Sequence, residues 1–499
     1  MRMLLELAEL INKNKIKDIE MIDKEYIIDD RVMKEFYNKL LKKSFETDDE
    51  AAYYFYKEDA SKPAYRQLKH RIKRKLLTTL LQIDFNQKGL LEHQKVYYST
   101  IKEWASMNIL GGKGFVYSAA LIARKIIKNS IKYHSLSFAV EAIRYAKMEA
   151  VVAGDHIRFA QIEQEETIIL QQYNMEVLAE QLMMKVNLYL GSTRYQEPAY
   201  AQTIQTYIDQ LTPLLPQVQF FPFKMNYYML CIIQKIIERD NLGAIKVIEE
   251  ALAYFHTEKY TPIGFLSSLY IVYLECCVEI RDFQRGHKNF QNGLRVSSEG
   301  RVNWFYMHRL YFLLCMHTEH YAEANEVLQT IAAHSSFDYL SEKRQETWRI
   351  AAAYNYFLNG HLPDISNKLF SKAKISRFLN DVPEYSKDKR GYNVAIIIVK
   401  MLFLLQNKKE DAVLDLVERL QVYCTRYLKD KQLVRSNAFI KMLNAVARGN
   451  FVRHKVEKYA APHLRVLYQN GFQNSQQSNQ EAEIVPYENL WKEVCKFLK

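Results

Sequence analysis

The sequence predicts an all-α protein in which antiparallel helix pairs stack as an α-solenoid. Three observations predict it. First, four residues recur at spacing i, i+3, i+7, i+10: an opener, then small, large apolar, small. They read Leu136, Ala139, Ile143, Ala146; Asn241, Ala244, Ile248, Ala251; Phe283, Gly286, Phe290, Gly293; and Pro363, Ser366, Phe370, Ala373, with Tyr321, Ala324, Leu328, Ile331 as a looser copy. From Asn241 the openers step by 42, 38 and 42 residues. That period belongs to helix-pair arrays, where each pair buries its apolar face against its neighbours. Second, 15 glycines and 10 prolines in 499 residues are too few for a turn-rich sheet protein. Third, the apolar residues keep a 3.6-residue period over long stretches.

The elements follow in order. Residues 1–90 form an N-terminal helical region. Leu4, Leu5, Leu7, Ala8 and Ile11 make a short helix that the lysines from Lys13 to Lys17 end. Asp30 caps a helix through Val32, Phe36, Tyr37 and Leu40. Thr47 caps the next, with Asp48, Asp49 and Glu50 in the first turn, where the helix dipole favours acids. Ser61 and Pro63 open a third, from 63 to 84, with the apolar stripe Tyr65, Leu68, Ile72, Leu76 and Ile83.

Residues 91–215 form a first sub-array: a helix over 92–108, a turn at Gly111, Gly112 and Gly114, a helix pair, and one long helix over 155–191. Prolines 198, 213, 216 and 222 mark a seam. Residues 216–450 hold the regular array. First helices are expected at 223–238, 262–280, 303–317, 342–358 and 391–407, second helices at 242–255, 283–296, 320–333, 363–376 and 409–428, and a capping helix at 432–448. Residues 451–499 hold a further helix, a polar segment at 471–485 that reads as a flexible linker, and a terminal amphipathic helix from Pro486.

Composition bounds the function. A net charge of +12 suits acidic partners: nucleic acid, anionic lipid or acidic protein surfaces. The 35 tyrosines suit a thin array, since a phenol is apolar in its body and wet at its tip. Cys231, Cys276, Cys277, Cys315, Cys424 and Cys495 include no CxxC pair and read as thiols in a reducing compartment. Glu6 and Glu9 interrupt the apolar N-terminus, which makes a poor signal peptide. The most apolar stretch, Val394 to Leu405, is short and broken by Lys400, so no membrane span and a cytoplasmic location are expected.

The second-helix pattern resembles that of tetratricopeptide (TPR) repeats, in which an aromatic opener is followed by small, large and small residues. Tyr321 with Ala324 and Phe283 with Gly286 match it best, and Lys409, Ala412, Leu416, Arg419 is a copy whose last small residue is lost. The first helices depart from the family. Nine residues before the opener, where a small residue is expected, stand Ile232, Leu274, Phe312 and Tyr354. The resemblance implies a concave peptide-binding surface and a scaffold or regulatory role.

Two segments stand out as candidate interaction sites. The run 62–75 carries Lys62, Arg66, Lys69, His70, Arg71, Lys73, Arg74 and Lys75 with no acid. On a helix, Arg66, Lys69, His70 and Lys73 share one face. With the preceding short helix the run forms a helix-turn-helix-like segment, whose second helix would read bases with Ala64, Arg66, Gln67 and His70. Arg66, Lys69, His70, Lys73 and Arg74 are therefore candidate contacts to nucleic acid or an acidic partner; a solvated basic face beside an acidic neighbour is the plainer reading. The terminal helix carries Tyr487, Leu490, Trp491, Val494, Phe497 and Leu498, one continuous apolar stripe. It could occupy the array's own groove or dock on a partner; a capping helix that covers the last exposed core is the plainer reading.

Other clusters carry no chemistry. Gly111-Gly112-Lys113-Gly114 lacks the strand and the Lys-Ser/Thr of a phosphate loop. Cys315, His317 and His320 lack a fourth metal ligand. Asp155, Glu163, Glu165 and Glu166 lack the histidines of a di-metal bundle. No catalytic, metal or cofactor residues are assigned. The sequence thus points to a non-enzymatic protein-interaction scaffold with a protein or peptide partner. The alternative is a DNA-binding regulator with an N-terminal helix-turn-helix-like segment and a helical sensor.

Overall fold

The structure is a computed structural model. It describes residues 1–13, 29–85, 92–192, 199–258, 261–359, 392–417, 434–470 and 483–499. The described residues are helical, with short 3-10 turns and no strand. They fall into two compact units, Met1–Tyr173 and Asn174–Lys499. The expected second helix at 363–376, with its copy of the pattern from Pro363, lies outside the described residues, as does Cys424.

In the first unit, α1 (Arg2–Lys13), α2 (Asp29–Leu41), α3 (Asp48–Tyr56) and α4 (Pro63–Gln82) share one core. Leu4, Ile11, Phe36, Leu40, Tyr65 and Leu76 are its fully buried large side chains. α3 starts with a reciprocal cap: Thr47 accepts from the Glu50 N–H while Glu50 reaches back to the Thr47 N–H. α2 begins at Asp29, so Asp30 sits inside its first turn rather than before it.

α5 (Glu92–Gly112), α6 (Val116–Lys132), α7 (Leu136–Ala153) and the start of α8 (His156–Ser192) build a second core around Ala119, Ala123, Ile126, Ala139, Ile143 and Ala146. Here the expected Gly-rich turn is corrected. Gly111 and Gly112 are helical, and Gly114 alone takes a left-handed backbone, φ +83°. Gly111 is small for a packing reason, because a Cβ there would fall 2.0 Å from the Tyr145 ring.

The second unit contains the rest of α8, α9 (Tyr200–Leu211), α10 (Phe221–Ile237), α11 (Asn241–Thr257), α12 (Ile263–Ile280), α13 (Phe283–Val296), α14 (Val302–His317), α15 (Tyr321–Ala333), α16 (Glu342–Asn359) and α17 (Tyr392–Gln406). The proline-bearing stretch after 198 holds α9 and a 3-10 turn, Thr212–Gln217. From α9 to α17 each helix packs on the next, and α12 also packs on α14. Then come α18 (Val434–Arg448), α19 (Arg453–Gln469) and α20 (Tyr487–Lys496), which pack on one another. α12 is the one described helix long and apolar enough to cross a membrane. It is half buried against α11, α13 and α14, where a core helix of that composition belongs.

All four described copies of the pattern occupy the same seat. The openers Leu136, Asn241, Phe283 and Tyr321 are the first residues of α7, α11, α13 and α15. The residues at +3, +7 and +10 are all buried: small at +3, large at +7, and small at +10 except for Ile331 of α15. The small ones let helices approach closely. A Cβ on Gly286 would fall 2.1 Å from Leu314 Cδ2, and one on Gly293 2.8 Å from Met307 Cε. Ile232, Leu274, Phe312 and Tyr354 in the first helices are fully buried, so large side chains fill the place where TPR repeats use a small one.

The turn before each opener is also the same. The residue just before the opener donates its N–H to a carbonyl five residues back: Ser135 to Ser130, Asp240 to Lys235, Asp282 to Cys277 and His320 to Cys315, at 2.8–3.0 Å. The residue between is left-handed: His134, Arg239, Arg281 and Glu319, φ 54–64°. This is the helix-ending turn that glycine usually makes. A side chain in that conformation costs roughly 1–2 kcal/mol, while glycine there costs roughly 0.5–1 kcal/mol in unfolded-chain entropy. Arg281→Gly and Glu319→Gly are each expected to raise stability by about 0.5–1 kcal/mol, the net of those two effects. Urea denaturation checks it; a loss of stability in both variants contradicts it.

Candidate functional site

The basic run forms the exposed side of α4. Tyr65, Leu68, Ile72 and Leu76 bury the opposite side. Arg66, Gln67, His70, Lys73 and Arg74 are exposed, and Leu77 and Leu81 continue the same stripe toward the C-terminal end. Pro63, Arg66, Gln67, His70 and Arg71 line a shallow depression at its start. The joint after α3 has no glycine, and Lys57 takes the left-handed turn instead, φ 58°. Ala60 N–H to Asp49 Oδ1, 3.0 Å, fixes the joint to α3.

Lys69 is set apart from the others. Its Nζ lies 2.8 Å from Asp48 Oδ1, which also accepts from the Tyr65 hydroxyl at 2.7 Å, and the Met1 amino group lies 2.9 Å from Oδ2. Burial alone would raise the Asp48 carboxyl, but the hydrogen bonds from Lys69, Tyr65 and the amino group outweigh it and hold the pKa at about 2. Lys69 therefore ties α4 to α3, and the outward stripe is Arg66, His70, Lys73 and Arg74.

The terminal stripe is packed on its own unit. Tyr487, Leu490, Trp491 and Val494 are buried, and Phe497 and Leu498 lie partly buried against the same core. Tyr487 stacks on Phe439 of α18 at 4.6 Å and 8°. Phe497 meets Phe357 of α16 at 6.0 Å. The backbone closes at its end, with Arg453 N–H to Lys499 O and Lys499 N–H to Phe451 O, both 2.8 Å.

The expected linker does not reach 485. Residues 471–482 lie outside the described residues, but Glu483, Ile484 and Val485 are buried. The reason is a group that the sequence reading missed, Arg435 of α18, only 1% exposed. Its Nε donates to Glu483 Oε2 at 3.0 Å, and its Nη2 to Glu483 Oε1 at 2.7 Å and Glu488 Oε2 at 2.9 Å. Its Nη1 donates to the carbonyls of Leu467 and Asn470, both at 2.8 Å. All five guanidinium N–H groups are thus matched. Burial would lower this guanidinium's pKa, but the two carboxylates outweigh it and keep the group charged. The available signal was an arginine on the same helical face as Phe439, Met442 and Val446, and a Glu-Ile-Val-Pro-Tyr-Glu stretch after a polar run.

Cys315, His317 and His320 do not converge. Cys315 is a buried thiol whose pKa burial raises. His317 is buried, and its Nε2–H donates to the Glu483 carbonyl at 2.8 Å. His320 stacks on the opener Phe283 at 3.5 Å. The carboxylates also go separate ways: Asp155 accepts the Arg158 N–H, and Glu166 pairs with Lys147 at 2.7 Å. Among the described residues, no three His, Cys, Asp or Glu side chains come together as metal ligands would.

Two buried histidines set an acid limit. Burial pushes His308 down to about 4 and His317 to about 3, from an ordinary 6.5. The folded chain holds each ring neutral, whereas the unfolded chain protonates it below 6.5. Each ring's contribution is therefore present above that value. It is lost as the pH falls toward the folded pKa, by about 1.4 kcal/mol per pH unit. Tm is expected to fall between pH 6.5 and 4.5, and less steeply for His308→Gln; an unchanged slope contradicts this.

Compared with protein-family models, curated proteins and solved structures, the chain matches none.

Proposed function

We propose that this chain is a non-enzymatic protein-interaction scaffold, in which antiparallel helix pairs stack as a TPR-like α-solenoid and present a surface to a protein or peptide in the cytoplasm. The observation that supports it is the repeated seat: the same turn precedes α7, α11, α13 and α15, and each then buries a small residue at +3 and a large apolar one at +7, with a small one at +10 in all but α15, where Ile331 stands. A chain built of one repeated unit offers an extended surface whose side chains vary while the backbone does not. The buried thiols, with Cys276, Cys277 and Cys315 raised by burial, fit a reducing compartment. The test is photo-crosslinking in the native cell from Tyr306 on α14 and Tyr339 after α15, both exposed. Discrete protein adducts support the scaffold; their absence at both positions rejects it.

A second reading is favoured by the outward stripe of α4: a DNA-binding regulator with a helical sensor. Arginine and glutamine at Arg66 and Gln67 suit base edges, and Lys73 and Arg74 suit phosphates. Duplex DNA is expected to bind with affinity that falls steeply with salt, since displaced counterions dominate phosphate contacts. Changing Arg66, Lys73 and Arg74 to Glu should abolish it, whereas Lys69 is left in place because it holds Asp48. No mobility shift at about 50 mM salt removes this reading.

A further inference from the structure

Arg435 is oriented by groups that do not belong to the tail. Its Nη1 edge is bonded to the carbonyls of Leu467 and Asn470, at the C-terminal end of α19, where a helix offers spare acceptors and favours a cation. That anchorage leaves the Nε–Nη2 edge, the fork that matches a carboxylate, pointing at residues 483–488. Around the fork stand three further fixed groups. His317 Nε2–H donates to the Glu483 carbonyl, the Ser436 hydroxyl meets the Tyr487 hydroxyl at 2.8 Å, and the Phe439 ring lies flat against that of Tyr487.

We propose that Arg435, His317, Ser436 and Phe439 form a receptor for an acidic–aromatic peptide, and that the chain's own residues 483–499 occupy it in cis. The ligand chemistry is read from the occupant: a carboxylate in the fork, a backbone carbonyl on His317, a tyrosine on Phe439 five residues or fewer from the carboxylate, and then an apolar helical turn. The tyrosine is held in register because its own N–H donates to Glu483 Oε1 at 2.9 Å, so carboxylate and ring present as one unit. A partner segment of the same chemistry competes with the tail, which makes the tail an autoinhibitory contact. This inference rests on the scaffold reading and names the chemistry which that scaffold recognises.

The probe is a fluorescein-labelled synthetic peptide of residues 483–499, followed by anisotropy. The full-length chain carrying Glu483→Ala and Leu490→Ala weakens the tail and leaves every receptor residue unaltered. Where it keeps its cooperative melt, it is expected to bind the peptide at least tenfold tighter than the unmodified chain, whose own tail competes. A peptide carrying Glu483→Gln should bind at least tenfold more weakly, and adding Arg435→Met to the weakened chain should remove binding. Circular dichroism and a urea melt are taken on the weakened chain. If it stays folded and ignores the peptide, the receptor is rejected. If it loses its cooperative melt, the tail is an inseparable part of the core and the receptor is rejected equally. In either case, protein adducts at Tyr306 would leave the scaffold reading standing.

Discussion

Arg435→Met is expected to destabilise the second unit by about 3–5 kcal/mol, because it strands Glu483 in the core without its counter-charge. Glu483 is 5% exposed and Arg435 is 1% exposed, so water cannot replace the lost partner. The cost comes from the stranded carboxylate more than from the lost attraction, which leads to two further outcomes. The triple variant Arg435→Met, Glu483→Gln, Glu488→Gln should recover part of the loss, since no charge then remains buried. The single variant's deficit should also shrink toward pH 5. A carboxyl without its arginine has a raised folded pKa, so its contribution is present at low pH and lost as the pH rises through that value. Urea midpoints at pH 5 and pH 8 check both. A single variant that melts like the parent at pH 8 would mean that the ion cluster contributes nothing to the packing of the tail.

Gly286→Phe and Ala324→Phe should be nearly as damaging. Both positions are fully enclosed where second helices cross first helices. At Gly286 even a Cβ meets Leu314 Cδ2 at 2.1 Å, Cys277 Cβ at 3.2 Å and Leu274 Cδ1 at 3.4 Å. Gly286→Ala alone is therefore expected to cost about 1–3 kcal/mol through overpacking. A phenylalanine has no room unless α13 separates from α12 and α14, so larger losses and a broadened melt are expected. Parent-like melting of Gly286→Ala and Ala324→Phe would contradict the packing at these seats.

The helical class and most helix positions were legible because they depend on local pattern. The seats at Ala139, Ala244, Gly286 and Ala324 show in the sequence because close crossing tolerates only small side chains, whatever the partner helix. The stripe Tyr65, Leu68, Ile72, Leu76 and the cap at Thr47 are local for the same reason. The turns were less legible. Arg239, Arg281 and Glu319 take a backbone conformation that their side chains disfavour, held by the packing of the helices on either side, so no glycine marks them. At Gly111 the opposite error arises: a glycine marks a ring contact with Tyr145, not a turn.

The candidate sites were legible in part. The apolar stripe of the tail is evident from spacing alone, but its partner is not. Arg435 and Glu483 are 48 residues apart, and nothing near either one shows that they pair. Glu483, Ile484 and Val485 follow a polar run and read as its continuation until the arginine that buries them is in view. On α4, spacing puts Lys69 with Arg66, His70 and Lys73. Only the contact with Asp48 shows that Lys69 is turned to a structural use.

The equivalence of the seats in α11, α13 and α15 is the point on which the scaffold reading depends. In a stack of like units, stability is passed between neighbours, so damage at one seat is felt next to it and fades with distance. Native-state hydrogen exchange on Gly286→Ala, read helix by helix, tests this most directly. The predicted result is lost protection in α12, α13 and α14, a smaller loss in α11 and α15, and unchanged protection in α6 and α7. Uniform loss across every helix of the second unit, or loss confined to α13 alone, would contradict it.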